Sequence, residues 1–264
     1  MALSTILGLV IGLVSLLVAY LMKGAPFSTL ANPAAFIIIL GGTAGSVFIA
    51  FPMNEMKTIP RLFGKIFREQ KLIAKREIIN MFIKWAQIAR REGILALESH
   101  VEEVSDEFMQ NGLKMIIDGN DSNLVHDILL EEISVVEARH RAEALIFSQA
   151  GMYAPTLGVL GAVVGLIAAL ANLSDINVLG HAIAAAFVAT MVGIFTGYVL
   201  WHPMANKLKR LSAQEIELKM VMVEGLLSIQ AGISSLAIEQ KLSVYISPEE
   251  RKLEEQNKEA EDGQ

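Results

Sequence analysis

The residues that could do chemistry in this sequence are few: Pro155 and Pro203, Thr156, Thr190 and Thr196, one glycine-rich run in a long apolar stretch, and five histidines, with no cysteine. Pro155 stands near the start of an apolar stretch covering Leu145 to Asn172, and Pro203 just past another covering Leu179 to His202. Inside a helix, a proline removes a backbone hydrogen bond and kinks the helix, leaving a carbonyl free; Pro203 could equally mark a helix end. Thr156, Thr190 and Thr196 are the notable hydroxyls there, and threonines in membrane helices usually bond back to their own backbone. LGGTAGS, from Leu40, resembles a nucleotide loop but lies mid-stretch, where small residues serve close helix approach. No GxxxxGK[ST], HExxH or GxSxG motif occurs, and the histidines have no metal-site spacing. Without cysteine there is no disulfide framework or thiolate metal site. Neither an enzyme nor a cofactor is expected.

The elements that must position these residues belong to a membrane protein. Hydrophobic residues make up 53% of the chain and charged residues 19%, and mean hydropathy is +0.47; soluble domains usually carry about a quarter charged residues. Four stretches offer close to the ~20 apolar residues that a ~30 Å hydrocarbon core requires: Ala2 to Met22, Pro33 to Pro52, Leu145 to Asn172 and Leu179 to His202. None contains Asp, Glu, Lys or Arg. The first lacks the basic start and short apolar region of a cleaved signal and is expected to be retained. Of the 22 basic residues, 21 lie between Met53 and Ala144 or after Pro203, and only Lys23 lies elsewhere. The positive-inside rule makes those regions and both termini cytoplasmic. The outer connections are then the stretches around Lys23–Asn32 and Leu173–Gly180. A net charge of −6 with no basic arm excludes a nucleic-acid binder.

The expected fold class is an all-α membrane protein with four transmembrane helices in two hairpins. The expected division is a first hairpin over 1–52, a cytoplasmic helical region over 53–144, a second hairpin over 145–203, a cytoplasmic C-terminal helix over 204–247 and a disordered charged tail over 248–264. Met56, Ile59, Phe63, Ile66 and Phe67 recur at helical spacing opposite Lys57, Arg61, Lys65 and Arg68. That pattern suits either a helix lying at the headgroups or one packed on its own neighbours. The third span is expected to continue as a helix well beyond its apolar stretch. Small residues spaced for close packing include Gly8 and Gly12 in the first span. Gly158, Gly161 and Gly165 in the third and Ala182, Ala184, Ala185, Ala186, Ala189 and Gly193 in the fourth extend that surface. Such a surface serves packing within the chain and also suits an oligomer lining a space for another helix. If the protein moves an ion, it has no membrane carboxylate to bind it, although proton and cation relays normally need one. The acid would have to come from a partner's helix.

YAPTLGVLGAVVGLIAAL (from Tyr153), AAFVATMVGIFTGYVLWHPMANKL (from Ala184) and ARREGILALE (from Ala89) closely resemble the flagellar stator subunits of the MotA, TolQ and ExbB proton-channel family. The likeness runs over nearly the whole chain. It implies a pentamer of this chain around two copies of MotB, whose membrane aspartate accepts the ion, and a push on the rotor protein FliG through complementary charges. Arg90 and Glu98 match the rotor-engaging positions, with Arg91 beside them. Pro155 matches a proline that couples ion binding to conformational change, Pro203 the proline below the fourth span, and Thr190 the hydroxyl facing the partner's aspartate. Sodium-driven relatives carry Thr where this sequence has Ala162; an alanine offers no extra oxygen to replace sodium's hydration shell, so protons are expected. The alternative within the family is a TolQ- or ExbB-like energiser of another envelope process. Against it stand four spans rather than three and the RREGILALE segment.

Overall fold

The computed structural model describes residues 2–25, 27–30, 32–68, 72–171 and 175–248. Among them the regular structure is helical throughout, with no strand. Met1–Gln70 with Arg139–Leu211 form one compact unit, and Lys71–Ala138 with Ser212–Gln264 the other, among the described residues. The charged tail expected to be disordered lies, beyond residue 248, outside the described residues.

In the first unit, helix α1 spans Ala2–Met22 with none of its apolar window buried by the rest of the chain. Leu3, Ile11 and Met22 are all largely exposed. So much uncovered apolar surface belongs in hydrocarbon. Helix α2 spans Pro33–Ala50. Asn32 caps it, its side chain accepting from the Ala35 N–H at 3.2 Å, and Pro33 supplies a first residue with no N–H to satisfy. A π-helical turn, Ile37–Gly41, interrupts it. The helix ends at Ala50 because Phe51, restricted by the following Pro52, is extended. Helix α3 spans Ile59–Phe67 and buries Leu62 and Ile66 completely. These pack with Val47, Phe147 and Met204 in one cluster, while Arg61 and Arg68 stay exposed. Of the two options open in its sequence, the apolar face of α3 is therefore packed on its own neighbours.

The second unit opens with helix α4, Lys75–Glu92, followed by a 3-10 turn Ile94–Leu97, a short helix Glu98–Val101 and helix α5, Glu107–Ile117. Helix α6 spans Ser122–Leu170, 49 residues, about twice what a ~30 Å hydrocarbon core needs. The continuation expected beyond the third span is thus present. The fourth span likewise runs without a break into the helix after it. Helix α7 covers Ile176–Gln230, capped by Asp175, whose carboxylate accepts from Asn177 N and Val178 N. Both units draw on α6 and α7. Helix α8, Ser235–Leu242, and a 3-10 turn, Ser243–Tyr245, follow.

The second unit's core contains Phe82, Phe108, Leu113, Leu129, Val221 and Leu226, each almost wholly buried. Each such side chain contributes about 1.5–3 kcal/mol of transfer free energy. Gly225 lets the Phe82 ring lie against α7, and Gly112 does the same for Leu226; a Cβ at either position would collide with those side chains. Ion pairs Lys75–Glu217 (2.7 Å), Arg76–Glu239 (3.1 Å) and Lys241–Glu224 (2.6 Å) fasten α4, α7 and α8 around this core.

Candidate functional site

In the first unit, α6 and α7 meet along a seam of small residues. A Cβ on Gly158 would lie 2.9 Å from both Ala189 O and Gly193 Cα, and one on Gly193 would lie 2.7 Å from Ala154 O and Gly158 Cα. Farther along, Gly161 faces Ala189, and Gly165 faces Ala186 and the Ala182 carbonyl. At the other end Gly151 meets the His202 ring. The glycines of α6 are therefore consumed by packing within the chain, backbone against backbone at Gly158 and against side chains at Gly151 and Gly161. In α1 only one of the two glycines is so used: Gly12 meets Val199, whereas Gly8 faces open space.

Pro155 lies inside α6 without ending it. It takes away the regular donor to the carbonyl of Gly151 four residues earlier. That carbonyl lies against α7 at Gly197: a Cβ there would meet Gly151 O at 2.8 Å and the Pro155 ring at 2.7 Å. Gly197 belongs to a π-helical stretch, Thr196–Trp201, which closely precedes Pro203. Pro203, exposed, does not end its helix either; lacking an N–H, it follows a stretch whose bonding is already shifted from the α pattern. The two prolines thus bear on one place, one packed against the π stretch and the other at its end.

The hydroxyls behave as threonines in apolar helices do. Thr190 donates to Ala186 O at 3.3 Å, Thr156 to Met152 O at 3.3 Å, and Thr196 to Val192 O at 2.9 Å and Gly193 O at 3.1 Å. Thr190 and Ala162 are both half-buried, each adjacent in sequence to a seam residue, Ala189 and Gly161. Among the described residues, no group of three His, Asp or Glu side chains could hold a metal ion.

Arg90, Arg91 and Glu98 lie in the other unit, around a sharp corner. Arg90 and Arg91 occupy the last turn of α4, where cations suit the negative end of the helix dipole. Gly93 then turns the chain with φ +88°, a region only glycine enters freely. Glu98 opens the next short helix. All three are exposed, and among the described residues none of them forms an ion pair, unlike Lys75, Arg76 and Lys241 of the same unit.

Three features escaped sequence reasoning. Leu95, 71% exposed, stands on the same corner because the 3-10 turn buries Leu97 and turns Leu95 outward. Periodicity alone does not separate the two leucines. Lys207, past the fourth span, donates to Ile66 O at 2.5 Å and to Thr5 Oγ1, tying α7 to the end of α3 and the start of α1. Its partial burial lowers its pKa from the usual lysine value. A lysine one helical turn past an apolar span is the signal that could have found it. Thr43 Oγ1 and Trp201 Nε1, finally, are buried with no hydrogen-bond partner among the described residues. Nothing in the local sequence sets either residue apart.

The same arrangement occurs in known proteins. Residues 6–93 match the Motility protein A N-terminal family, and residues 100–221 match the MotA/TolQ/ExbB proton channel family. "Motility protein A" of Bacillus subtilis (strain 168) is 52% identical over 261 residues, covering 99% of this chain and 97% of that protein. The chain belongs to the MotA/TolQ/ExbB proton channel family. Its fold matches the flagellar MotAB stator complex from Bacillus subtilis with a TM-score of 0.89 and 54% identity, over 94% of this chain and 98% of that one. MotAB from C. jejuni matches with a TM-score of 0.88 and 30% identity, over 94% and 97%. The family match and the four long apolar helices agree on an all-α membrane protein, and the motility-type N-terminal match extends the likeness through the first hairpin to α4.

Proposed function

We propose that this chain is the ion-conducting stator subunit of a bacterial flagellar motor. One observation carries the reading: the match to a solved MotAB stator complex extends over 94% of this chain and 98% of that one. The chain sits in the plasma membrane with both termini in the cytoplasm, as the placement of 21 of its 22 basic residues supports. It works as a pentamer around a MotB-type partner. Four spans without a carboxylate require that partner to bring the ion-binding aspartate.

The geometry supports a division of labour. The hydroxyl of Thr190 and the methyl of Ala162 face the partner's carboxylate, and with no second oxygen ligand the ion carried is the proton. Pro155, with its displaced Gly151 carbonyl against the π stretch of α7, transmits the protonation state of that carboxylate into the packing of α6 on α7. Pro203 follows the same stretch closely. Arg90, Arg91 and Glu98, free of ion pairs among the described residues and on an exposed corner, engage complementary charges on the rotor protein FliG. Exposed ion pairs are worth about 0–1 kcal/mol each, which suits a contact made and released at every step. Catalysis of a covalent reaction is no part of this role.

The test is swimming speed in stator-less cells expressing this chain with its genomic partner, with sodium and the proton gradient varied independently. Speed that follows the proton gradient and ignores sodium is expected. Sodium dependence would overturn the role given to Ala162. No rescue, with both proteins confirmed in the membrane, would refute the stator reading itself.

A further inference from the structure

A cavity of about 360 Å³ lies within the first unit, between the start of α1 and the part of α7 from Tyr198 to Lys207. Two contacts bracket it along α1. At one end Thr5 Oγ1 accepts from the Lys207 ammonium, which also donates to the Ile66 carbonyl at the end of α3. At the other end Gly12 meets Val199. At 1.5 Å per residue these two contacts are about 10 Å apart. Between them Gly8 lines the cavity, and no atom lies within 4 Å of where its Cβ would stand. The missing side chain keeps the cavity open.

The lining is graded. Leu9, Val199 and Leu200 give it an apolar inner wall, whereas Ser4, Thr5 and Lys207 bring two hydroxyls and an ammonium to its outer end. None of these three is buried, so a ligand can reach them. Charge at that end has one sign. Arg210, about one turn past Lys207 on α7, is exposed, and Lys65 directly precedes the Ile66 carbonyl that Lys207 binds. No Asp or Glu occurs before Glu55, within Ile59–Phe67, or between Ile176 and Gln214, so α1, α3 and this part of α7 bring cations to the cavity and no carboxylate. Partial burial lowers the Lys207 pKa, and an anion beside it would favour the charged form again. Ser4 and Lys207 stand at the ends of apolar spans, at headgroup depth, while farther along α1 Ile11 is 63% exposed and belongs in hydrocarbon. A basic pocket between spans at that depth is the profile of a site for an anionic lipid headgroup.

We propose that this cavity binds the headgroup of an anionic glycerophospholipid, its phosphate held by Lys207, Arg210 and the hydroxyls of Ser4 and Thr5, its acyl chains passing over Gly8 along the exposed face of α1. The site requires only that the first unit span a bilayer, so it goes beyond the stator reading and does not depend on it.

The test is native mass spectrometry of this chain, purified in detergent with its genomic partner and titrated with dioleoylphosphatidylglycerol or dioleoylphosphatidylcholine. Phosphatidylglycerol adducts are expected to saturate at one per copy of this chain, at a concentration about tenfold or more below that for phosphatidylcholine. Arg210→Gln, on the exposed surface, should raise the half-saturating concentration about fivefold, the attraction of one surface cation. Gly8→Phe, which fills the opening, should abolish the saturable adduct while helix content by circular dichroism stays unchanged. Equal binding of the two lipids would overturn the proposal, and so would unaltered saturation in both variants. Displacement of the adduct by glycerol phosphate would overturn it by making the ligand a soluble phosphate. Absence of any adduct would overturn it too, assigning the cavity to a helix of another copy.

Discussion

Substituting Gly193 by alanine tests whether the α6–α7 seam is as close as the structure makes it. The added methyl would lie 2.7 Å from Ala154 O and from Gly158 Cα, and 3.1 Å from Gly158 N. Carbon atoms settle about 3.5–4.0 Å apart, so the two helices must part locally by about 1 Å. All three obstacles are backbone, and no rotamer change relieves them. Overpacking of this kind costs about 1–3 kcal/mol. At roughly 2–4 °C per kcal/mol for a chain of this size, the purified complex should melt about 2–12 °C lower when tryptophan fluorescence is followed on heating in detergent. Gly8→Ala is the matched control, because its Cβ would meet nothing within 4 Å; there alanine should be neutral or slightly stabilising. Gly158→Ala strikes the same approach from the other side, so the double variant should cost less than the sum of the singles. If Gly193→Ala melts and swims as the unmodified protein does, or if Gly8→Ala is equally damaging, the close seam is wrong.

Further expectations concern the rest of the molecule. Reversing charge at Arg90 together with Glu98 should abolish swimming while membrane abundance, measured by immunoblot, is unchanged; normal swimming would remove both from the rotor contact. Pro155→Ala should restore a donor to the Gly151 carbonyl and slow or stop rotation at normal protein level, and a wild-type speed in tethered-cell assays would argue against the coupling role. Lys207 carries a pH signature. Because burial lowers its pKa, the unfolded chain holds that proton more tightly, so stability should rise as pH climbs from the folded pKa toward the unfolded value of 10.5. Melting temperatures of the Lys207→Gln variant should lose that rise over the alkaline range, and an identical slope in both proteins would contradict it.

Much of the fold was legible because membrane spans are a composition signal. A ~30 Å hydrocarbon core demands about 20 apolar residues whatever their order, and α1 spans Ala2–Met22, the boundaries its sequence suggested. Helix ends were legible where a cap or a proline sets them, as at Asn32–Pro33. The π turns in α2 and α7 were not, since nothing local distinguishes IIILG or TGYVLW from ordinary helix. Nor could the sequence say which of Gly8 and Gly12 is packed; that depends on Val199, far away in the chain.

The chemistry divides along the same line. From the sequence alone follow the four spans, the one-sided charge and the absence of a membrane carboxylate, and hence the need for a partner's acid, because each depends on residue type and not on position in space. Only the tertiary structure decided that Pro155 and Pro203 bear on one π stretch, that among the described residues Arg90, Arg91 and Glu98 form none of the ion pairs that hold their neighbours, and that Thr43 Oγ1 and Trp201 Nε1 are buried there without a hydrogen-bond partner. Those are relations between residues far apart in the chain, and packing rather than composition determines them.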